Sequence, residues 1–429
     1  MTRTRIVATL GPATNTSEKI RALIEAGVDV FRLNFSHGTH QMHGDLIKGI
    51  RHIAGDRPVA ILQDLCGPKL RLTRPVKGKP GEIVEVDLPS SVKKGDPVLL
   101  ADGIMHLEVV DAAHSRVIVG GDIPAGKGIN LPSSDLDIPS LTDKDKVDLE
   151  FGVRNAVDYI ALSFVRRASD LDQVKKSGIP VIAKIEKPEA VRRIEEIVRA
   201  ADGVMVARGD LGVEIPIERV PVVQKRVISL ANREGKMVIT ATQMLRSMVD
   251  SPLPTRAEAT DVANAVLDGT DAVMLSEETA AGNYPIESVK VMSRILAEAE
   301  PLLVPRGDLL SPDPADAIAQ TACILSERVG ARAIIVPTST GFTARKVSSY
   351  RPRIPILVLT NSELVRRRLS LVWGVTALSA PWFNETASVL ERFRESIQGI
   401  LPAGSTVVMT AGWPFARPGT TNLVHVTTV

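Results

Sequence analysis

Charged residues that suit phosphoryl transfer lie at the ends of strand-like segments in this 429-residue sequence. Glu186 and Asp210 follow two neighbouring segments, and two carboxylates so placed can hold one Mg²⁺ while leaving positions open for a substrate phosphate. Lys184 and Arg32 can neutralise the charge on a phosphoryl group during its transfer. These residue types therefore predict a metal-assisted site for a phosphorylated substrate.

The same side chains have a structural alternative, because carboxylates and basic groups on adjacent strands also form ion pairs without a catalytic role. Period-two alternation places Arg32, Asn34 and Ser36 on one face of their strand, and Lys184 and Glu186 on one face of theirs. Polar residues at seven strand ends weaken the structural alternative. The other residues at these ends are Asp64, Ser163, Phe164, Gly209, Thr242 and Ser276.

Short apolar runs alternate with helical patterns, which is typical of a parallel α/β fold. Eight strand–helix units predict a (β/α)₈ TIM barrel, in which the reacting groups lie at the carboxyl ends of the strands. Thr142 and Thr255, each with an acidic residue three positions later, predict helix starts. The predicted strands are Thr4–Thr9, Asp29–Phe35, Pro58–Asp64, Val157–Ser163, Ile179–Ile185, Asp202–Ala207, Met237–Thr242 and Thr270–Leu275.

Changes in composition predict the domain organisation. The barrel is predicted to span residues 1–72 and 131–300, interrupted at 73–130 by a small β domain rich in Gly, Pro, Val and Asp. A Pro-rich linker then leads into a C-terminal α/β domain at 301–429. Its predicted strands are Ala333–Val336, Pro355–Leu359, Val375–Leu378, Thr406–Met409 and Leu423–Val426.

Composition also excludes classes of partner. A net charge of +2 and an aromatic content of 3% disfavour nucleic acid and membrane as the main partners. Cys66 and Cys323 lie far apart, which is typical of a reduced protein without a disulfide framework. The N-terminus lacks the pattern of a signal peptide, and no stretch reaches the ~18 apolar residues of a membrane span. We therefore expect a cytoplasmic protein.

Two loops have a composition that suits phosphate. Gly121–Lys127 has the spacing of a P-loop, but Gly128 replaces the required Ser or Thr and no helical pattern follows, so a P-loop is rejected. Lys127 either reaches a nucleotide phosphate or is a solvated loop lysine. The hydroxyl-rich loop Thr338–Thr343 precedes a predicted helix, where backbone N–H groups favour phosphate, although such loops often serve only as helix caps.

Motifs along nearly the whole barrel resemble the pyruvate kinase family and occur in that family's order. They are TRIVATLGPAT, FRLNFSHGTH, GPKLRL, KGINLP, LTDKD, AKIEKPEAV, MVARGDLGVEIP, ATQML and PTRAEATDVANAVLDGTDAVMLSEETAAGNYP. The resemblance implies Mg²⁺-dependent (or Mn²⁺-dependent) transfer of a phosphoryl group from phosphoenolpyruvate to ADP by a homotetramer. It also implies that the inserted domain is a mobile β-barrel lid and that the C-terminal domain is regulatory.

The resemblance also implies a role for each matching residue. Glu186 and Asp210 would bind the divalent metal, Lys184 would stabilise the transferring phosphoryl group, and Arg32 would bind the substrate phosphate. Gly209, Asp210, Ser163 and Phe164 would bind the substrate, as would Thr242, which with Ser276 would also deliver the proton. The nucleotide would be bound by Arg71, Lys127 and His37, and a monovalent cation by Asn34, Ser36, Asp64 and the Leu65 carbonyl. A sugar-phosphate effector would bind at Thr338, Ser339, Thr340, Gly341, Thr343 and Arg417.

Lys69 departs from the family pattern, in which many members have glutamate at this position and require K⁺. Its ammonium can supply the charge of the missing ion, so we expect a weak K⁺ requirement or none. The alternative is that Lys69 is an exposed residue at the top of the barrel without this role.

Two other classes of protein remain as alternatives. Other Mg²⁺-binding barrels, such as phosphoenolpyruvate mutases and acid aldolases, also use carboxylates at strand ends, but they need neither an inserted domain with a nucleotide-binding lysine nor Arg71 beside it. A silent binding protein would have no chemical reason to keep Lys184, Glu186, Asp210 and Thr242 together.

Overall fold

The computed structural model describes residues 2–132, 138–307, 312–381, 395–397, 399–413 and 420–429. The strands in these residues are β1 Arg5–Thr9, β2 Val30–Asn34, β3 Ala60–Asp64, β4 Val76–Gly78, β5 Ile83–Glu85, β6 Pro97–Leu100, β7 Met105–Val109, β8 His114–Val119, β9 Gly121–Ile123, β10 Ile129–Asn130, β11 Tyr159–Leu162, β12 Val181–Ile185, β13 Gly203–Ala207, β14 Met237–Ala241, β15 Ala272–Leu275, β16 Ala333–Pro337, β17 Ile356–Thr360, β18 Val375–Ser379, β19 Thr406–Ala411 and β20 Leu423–Thr428.

The α-helices in the same residues are α1 Ser17–Ala26, α2 His40–Ala54, α3 Asp143–Arg154, α4 Asp172–Lys175, α5 Pro188–Arg192, α6 Ile194–Ala200, α7 Arg208–Glu214, α8 Val220–Arg233, α9 Arg256–Leu267, α10 Glu277–Ala280, α11 Pro285–Ala299, α12 Pro314–Arg328, α13 Phe342–Ser349 and α14 Glu363–Leu369. Short 3₁₀ helices span Ala168–Leu171, Ile217–Arg219, Arg246–Val249 and Glu300–Leu302. None of the helices in the described residues combines the length and the apolar composition that a membrane span requires.

Eight parallel strands close into a barrel in the order β1-β15-β14-β13-β12-β11-β3-β2. Each strand falls within one of the eight segments predicted from the sequence, so the predicted TIM barrel is confirmed. Alternate residues of the strands fill two layers of core, since Leu62 and Ile182 pack inside the barrel whereas Ile61 and Val181 pack beneath the surrounding helices. This alternation directs one face of every strand end into the mouth of the barrel.

Local signals in the sequence fix where several helices begin and end. Thr142 and Thr255 each form a capping box with the acidic residue three positions later, which confirms both predicted helix starts. The first helix, α1, ends at Gly27, whose backbone φ of 118° is easily adopted only by glycine. The sequence thus determines the first turns of α3 and α9 and the end of α1.

The inserted residues form an all-β unit, as predicted. Its strands make a five-stranded sheet in the order β10-β6-β7-β8-β5 and a two-stranded sheet of β4 and β9, rather than one closed sheet. Both sheets share one hydrophobic core that includes Val76, Val98, Met105 and Val117. Gly121–Ile123 is a strand, and the next described element is the strand β10 instead of the helix that a P-loop requires.

The two connections to the inserted domain pair with each other in an antiparallel ribbon at residues 70–72 and 126–129, which we call the hinge ribbon. Leu72 N donates to Lys127 O at 2.9 Å, and Ile129 N donates to Leu70 O at 2.9 Å. An isolated bridge also joins Arg71 and Gly128. The inserted domain is therefore attached to the barrel through a hydrogen-bonded element and not through two independent loops.

The C-terminal domain contains one mixed sheet in the order β18-β17-β16-β19-β20, in which only β20 is antiparallel to its neighbour. It packs against the amino ends of the barrel strands. Arg351 is buried there, and its Nη2 lies 2.7 Å from Asn232 Oδ1 and 3.2 Å from Asp271 Oδ1. Asp158, also buried, accepts from Arg51 of α2 and Arg367 of α14 at 2.6 and 2.9 Å. The carboxyl-end mouth of the barrel is thus left to the inserted domain.

Candidate active site

Lys184 lies at the centre of a buried polar cluster at the carboxyl ends of β3, β11 and β12. Its Nζ is 2.9 Å from Glu186 Oε1, 3.2 Å from Asp64 Oδ1 and 2.8 Å from Ser163 Oγ. Burial alone would lower the pKa of Lys184, but the carboxylates of Asp64 and Glu186 outweigh it and hold the pKa above its usual value. The side chain is therefore a fixed positive charge.

Arg32 shares the Asp64 carboxylate with Lys184. Arg32 Nε lies 2.7 Å from Asp64 Oδ2, and its Nη1 donates to Thr9 Oγ1 at 3.2 Å. Asp64 is almost completely buried, and burial alone would raise its pKa, yet Lys184 and Arg32 together hold the pKa below its usual value. One carboxylate thus keeps two cations at the same mouth. The predicted common face of Lys184 and Glu186 is confirmed by their contact.

Glu186 has both carboxylate oxygens engaged. Oε1 contacts Lys184, and Oε2 accepts from the backbone N of Phe164 at 2.7 Å. Phe164 has a φ of 57°, and this left-handed turn aims its N–H at the carboxylate. Burial raises the pKa of Glu186 against the lowering effect of Lys184, and the nearby negative charge of Asp210 raises it further.

The donor set fits a hard divalent cation held by few protein ligands. Asp210 lies in the first turn of α7, and within the described residues its carboxylate makes no hydrogen bond or ion pair. Mg²⁺ usually takes one or two carboxylates and completes its shell with water and substrate phosphate, which matches Glu186 and Asp210. The described residues contain no group of three or more His, Cys, Asp and Glu side chains arranged to hold a metal by themselves.

Thr242 and Gly209 meet at the ends of β14 and β13. Gly209 N donates to Thr242 Oγ1 at 2.7 Å, and Thr242 Oγ1 donates to Ala241 O at 2.6 Å. A Cβ on residue 209 would come within 3.2 Å of that hydroxyl oxygen, so glycine keeps the approach open. Thr242 itself has a φ of 69°, an unusual conformation for a β-branched residue and one that is often found at functional sites.

Ser276 lies at the end of β15, next to the same region. Its backbone N donates to Glu278 Oε2 at 2.8 Å, while Glu278 Oε1 accepts from Leu245 N at 3.0 Å. Its hydroxyl is buried and has no hydrogen-bond partner among the described residues. A buried hydroxyl in this state is available to a substrate or a proton relay.

The hinge ribbon brings together two of the three residues predicted to bind nucleotide. Arg71 and Lys127 are both exposed, and Arg71 Nη1 donates to Gly126 O at 3.0 Å. The third, His37, is exposed in the loop after β2, where its carbonyl accepts from His43 Nε2 at 2.9 Å. All three therefore present accessible side chains from elements that leave the barrel mouth.

The four residues predicted to form a monovalent-cation site lie around the ends of β2 and β3. Asn34 and Asp64 are partners in the strand register, and Asn34 Oδ1 accepts from Ser36 N at 3.1 Å. Leu65 O accepts from Ser163 Oγ at 2.8 Å. Lys69, the departure from the family pattern, has its Nζ 3.9 Å from Asp102 Oδ1 of the inserted domain.

The predicted effector loop begins α13. Thr338 Oγ1 accepts from Gly341 N at 2.9 Å, and Thr340 Oγ1 accepts from Phe342 N at 3.4 Å. Thr343 Oγ1 contacts Thr421 Oγ1 at 2.7 Å. Several hydroxyls of this loop thus already cap backbone groups. Ser339 belongs to the same turn, whereas Arg417 lies outside the described residues.

Two residues that orient the site were not predicted from the sequence. Thr9 ends β1 and accepts from Arg32, and the strand-end rule would have found it had it been applied to the first strand. Asp261 lies in the middle of α9, and its Oδ2 is 2.6 Å from Arg208 Nη1. Arg208 Nη2 in turn donates to Thr242 O at 2.8 Å. Nothing in the helical sequence pattern around Asp261 indicates that it contacts the site.

Family models and curated relatives agree on what this chain resembles. The model "Pyruvate kinase, barrel domain" matches residues 1–87 and 82–289, and "Pyruvate kinase, alpha/beta domain" matches residues 316–427. The pyruvate kinase of Geobacillus stearothermophilus is 45% identical, with 99% of this chain and 80% of the relative covered. Pyruvate kinase 2 of Synechocystis sp. is 45% identical, with coverage of 100% and 79%, and the pyruvate kinase of Thermotoga maritima is 41% identical, with 99% of both chains covered. The resemblance inferred from the motifs is therefore confirmed, and the chain belongs to the pyruvate kinase family.

Proposed function

We propose that this protein transfers the phosphoryl group of phosphoenolpyruvate to ADP, giving pyruvate and ATP. The observation that carries the proposal is the buried cluster in which Lys184 contacts Glu186 and Asp64 while Arg32 contacts the same Asp64. Two fixed cations beside two carboxylates suit phosphoryl transfer, because the cations can stabilise the negative charge on the phosphoryl oxygens in the transition state. Pyruvate kinase relatives of similar length support the same reaction.

Phosphoenolpyruvate binds with its phosphate towards Arg32 and Lys184. Its carboxylate lies against α7, where the substrate would replace the bond between Gly209 N–H and Thr242 Oγ1 and the bond from Thr242 to Ala241 O. Ser163 and Phe164 lie on the facing strand end. Arg32 offers a planar fork and Lys184 a point charge, so the two cations bind different oxygens of the phosphate. The reaction then needs positioning and charge neutralisation more than covalent help.

Glu186 and Asp210 are the residues that would hold Mg²⁺ or Mn²⁺. A divalent cation bound there would supply positive charge that neutralises the phosphoryl oxygens and the developing enolate oxygen. Glu186 contacts Lys184 in the structure, and a weaker contact between them would let Lys184 Nζ contact the phosphoryl group.

ADP binds through Arg71, Lys127 and His37, which extend from the barrel mouth and the hinge ribbon. An oxygen of its β-phosphate attacks the phosphorus of phosphoenolpyruvate. The bond from that phosphorus to the enol oxygen breaks, and the electron pair stays on the oxygen as the enolate of pyruvate. A proton then adds to the methylene carbon, and Thr242 with Ser276 belongs to the relay that delivers it.

Three further features belong to the proposal. Lys69 replaces the charge of K⁺, so the cation site at Asn34, Ser36, Asp64 and Leu65 is not required for turnover. The loop Thr338–Thr343, with Arg417, binds a phosphorylated effector. If no phosphorylated metabolite shifts the phosphoenolpyruvate saturation curve, this effector site is refuted. The enzyme acts as a homotetramer in the cytoplasm, as the family resemblance implies.

Turnover of the unmodified protein tests the reaction class. We expect pyruvate to form from phosphoenolpyruvate only when both ADP and Mg²⁺ are present, with one ATP made for each pyruvate. Omission of ADP is the decisive control, because the alternative Mg²⁺-binding barrels act on keto acids without a nucleotide. Product formation without ADP, or no product from folded protein, would contradict the proposal.

Loss of the Thr242 hydroxyl should block proton delivery to the enolate. We expect Thr242→Ala to slow the exchange of pyruvate methyl protons with solvent by roughly 100-fold or more, the usual contribution of a positioned acid or base. Thr242→Ser keeps the hydroxyl and should retain most of the exchange. Equal exchange rates in the alanine variant and the parent, measured by NMR in deuterated buffer, would exclude Thr242 from the relay.

The charge on Lys69 should determine the response to K⁺. We expect the parent enzyme to keep its activity when K⁺ is replaced by tetramethylammonium. Lys69→Glu should gain a K⁺ activation of roughly tenfold or more, because a unit charge a few ångströms away is worth about 1 to 4 kcal/mol near a protein surface. Lys69→Met controls for loss of the side chain alone. An activity of the parent that collapses without K⁺ would refute the charge replacement.

A further inference from the structure

A buried carboxylate ties the hinge ribbon to the helix that carries the substrate and metal residues. Glu214, the last residue of α7, is only 4% exposed. Its Oε1 accepts from Asn130 Nδ2 at 2.8 Å and lies 2.6 Å from Lys187 Nζ. Because a carboxylate only accepts, the amide of Asn130 must present its nitrogen to it. Three separate segments of the chain therefore meet at one oxygen atom.

Each of these segments leads directly to a different part of the proposed active site. The first turn of α7 holds Gly209 and Asp210. Lys187 follows Glu186 in sequence and caps the start of α5. Asn130 ends β10, directly after the hinge ribbon with its nucleotide-binding Lys127. The contact thus joins the nucleotide side of the site to the phosphate and metal side.

Backbone hydrogen bonds connect Asn130 to the part of the hinge ribbon that contains Lys127. Its backbone is held by the bonds of Leu72 to Lys127 and of Ile129 to Leu70, and Ile129 also pairs with Leu100 of β6. Asn130 lies three residue steps from Lys127 along the chain, which is about 10 Å at the rise of a strand. A shift at Asn130 therefore displaces the Lys127 backbone with little slack.

Among the described residues, one hydrogen bond joins Asn130 to α7. Asn130 Oδ1 has no partner among the described residues, so the side chain is held by its nitrogen alone. The acceptor is charged and buried, and Lys187 balances its charge, which are the conditions for a strong hydrogen bond. Removing Asn130 would leave the pair of Glu214 and Lys187 intact.

We propose that Asn130 is a positioning residue for the nucleotide, holding the hinge ribbon against α7 through Glu214 so that ADP lies in line with the phosphoryl group. This inference rests on the proposed function, because it requires ADP as the second substrate. It assigns the residue no contact with either substrate. Its effect is on the geometry between the two halves of the site.

Kinetics of Asn130 variants separate this role from a purely structural one. We expect Asn130→Ala to raise the KM for ADP about tenfold, the ratio that corresponds to one hydrogen bond to a charged group. The KM for phosphoenolpyruvate and the rate of pyruvate methyl-proton exchange, which needs no ADP, should stay near the parent values. Asn130→Asp, which replaces the donating amide by a second carboxylate facing Glu214, should raise the KM for ADP at least as much.

Ser115→Ala is the matched control, because Ser115 is a fully buried polar residue of the inserted domain whose hydroxyl has no partner among the described residues. It should leave all these quantities unchanged. An unchanged KM for ADP in Asn130→Ala would overturn the inference while leaving the proposed function in place. A parallel fall in methyl-proton exchange and in thermal stability would also overturn it, in favour of a structural role. Failure of the parent enzyme to use ADP would overturn the proposed function and this inference together.

Discussion

The buried ammonium of Lys184 is the constraint on which the active site depends. An unpaired charge at this depth would cost several kcal/mol, so the fold must bring carboxylates to it. Asp64 and Glu186 do this from the ends of β3 and β12, within 3.2 and 2.9 Å. Asp64 then has a second oxygen for Arg32. The ends of the strands are thereby held at a fixed spacing, with positive charge kept where a phosphate would bind.

The arrangement of the domains follows from the direction of the barrel strands. All eight are parallel, so their polar ends collect at one mouth, and the long excursion after β3 leaves the barrel at that mouth. The C-terminal domain packs at the opposite ends through Asp158 and Arg351. The residues that we propose bind phosphate and metal therefore lie at strand ends or directly after them, whereas Arg71 and Lys127, proposed to bind the nucleotide, extend from the hinge ribbon. Such a division suits an enzyme that must hold one substrate and then close over another.

Much of this architecture could be predicted from the sequence, because local patterns determine it. Apolar runs of strand length gave all eight barrel strands, and alternation put Lys184 and Glu186 on one face. Threonine followed by an acidic residue three positions on gave two helix starts. The family motifs then implied a role for each matching residue, and alternation alone does not indicate such roles.

Contacts between distant segments were beyond these patterns. Nothing local to Asn130 or Glu214 indicates that they meet across 84 positions of sequence, since each looks like an ordinary polar residue at the end of an element. The partition of the inserted strands into two sheets depends in the same way on packing around a shared core. The loop Thr338–Thr343 differs from these cases, because the sequence had offered helix capping as one alternative and the bonds of Thr338 and Thr340 to nearby backbone N–H groups match it.

Replacement of Lys184 tests the central claim most directly. Kinetics of Lys184→Met should show kcat for pyruvate formation about 100- to 1000-fold below the parent, the usual loss when one preorganised electrostatic group is removed. Lys184→Arg, which keeps a charge for Asp64 and Glu186, should fold like the parent yet remain impaired because its fork differs from a point charge. Lys225→Met, which removes an exposed lysine on α8, should leave turnover unchanged. A Lys184→Met enzyme with kcat close to the parent value would contradict the account.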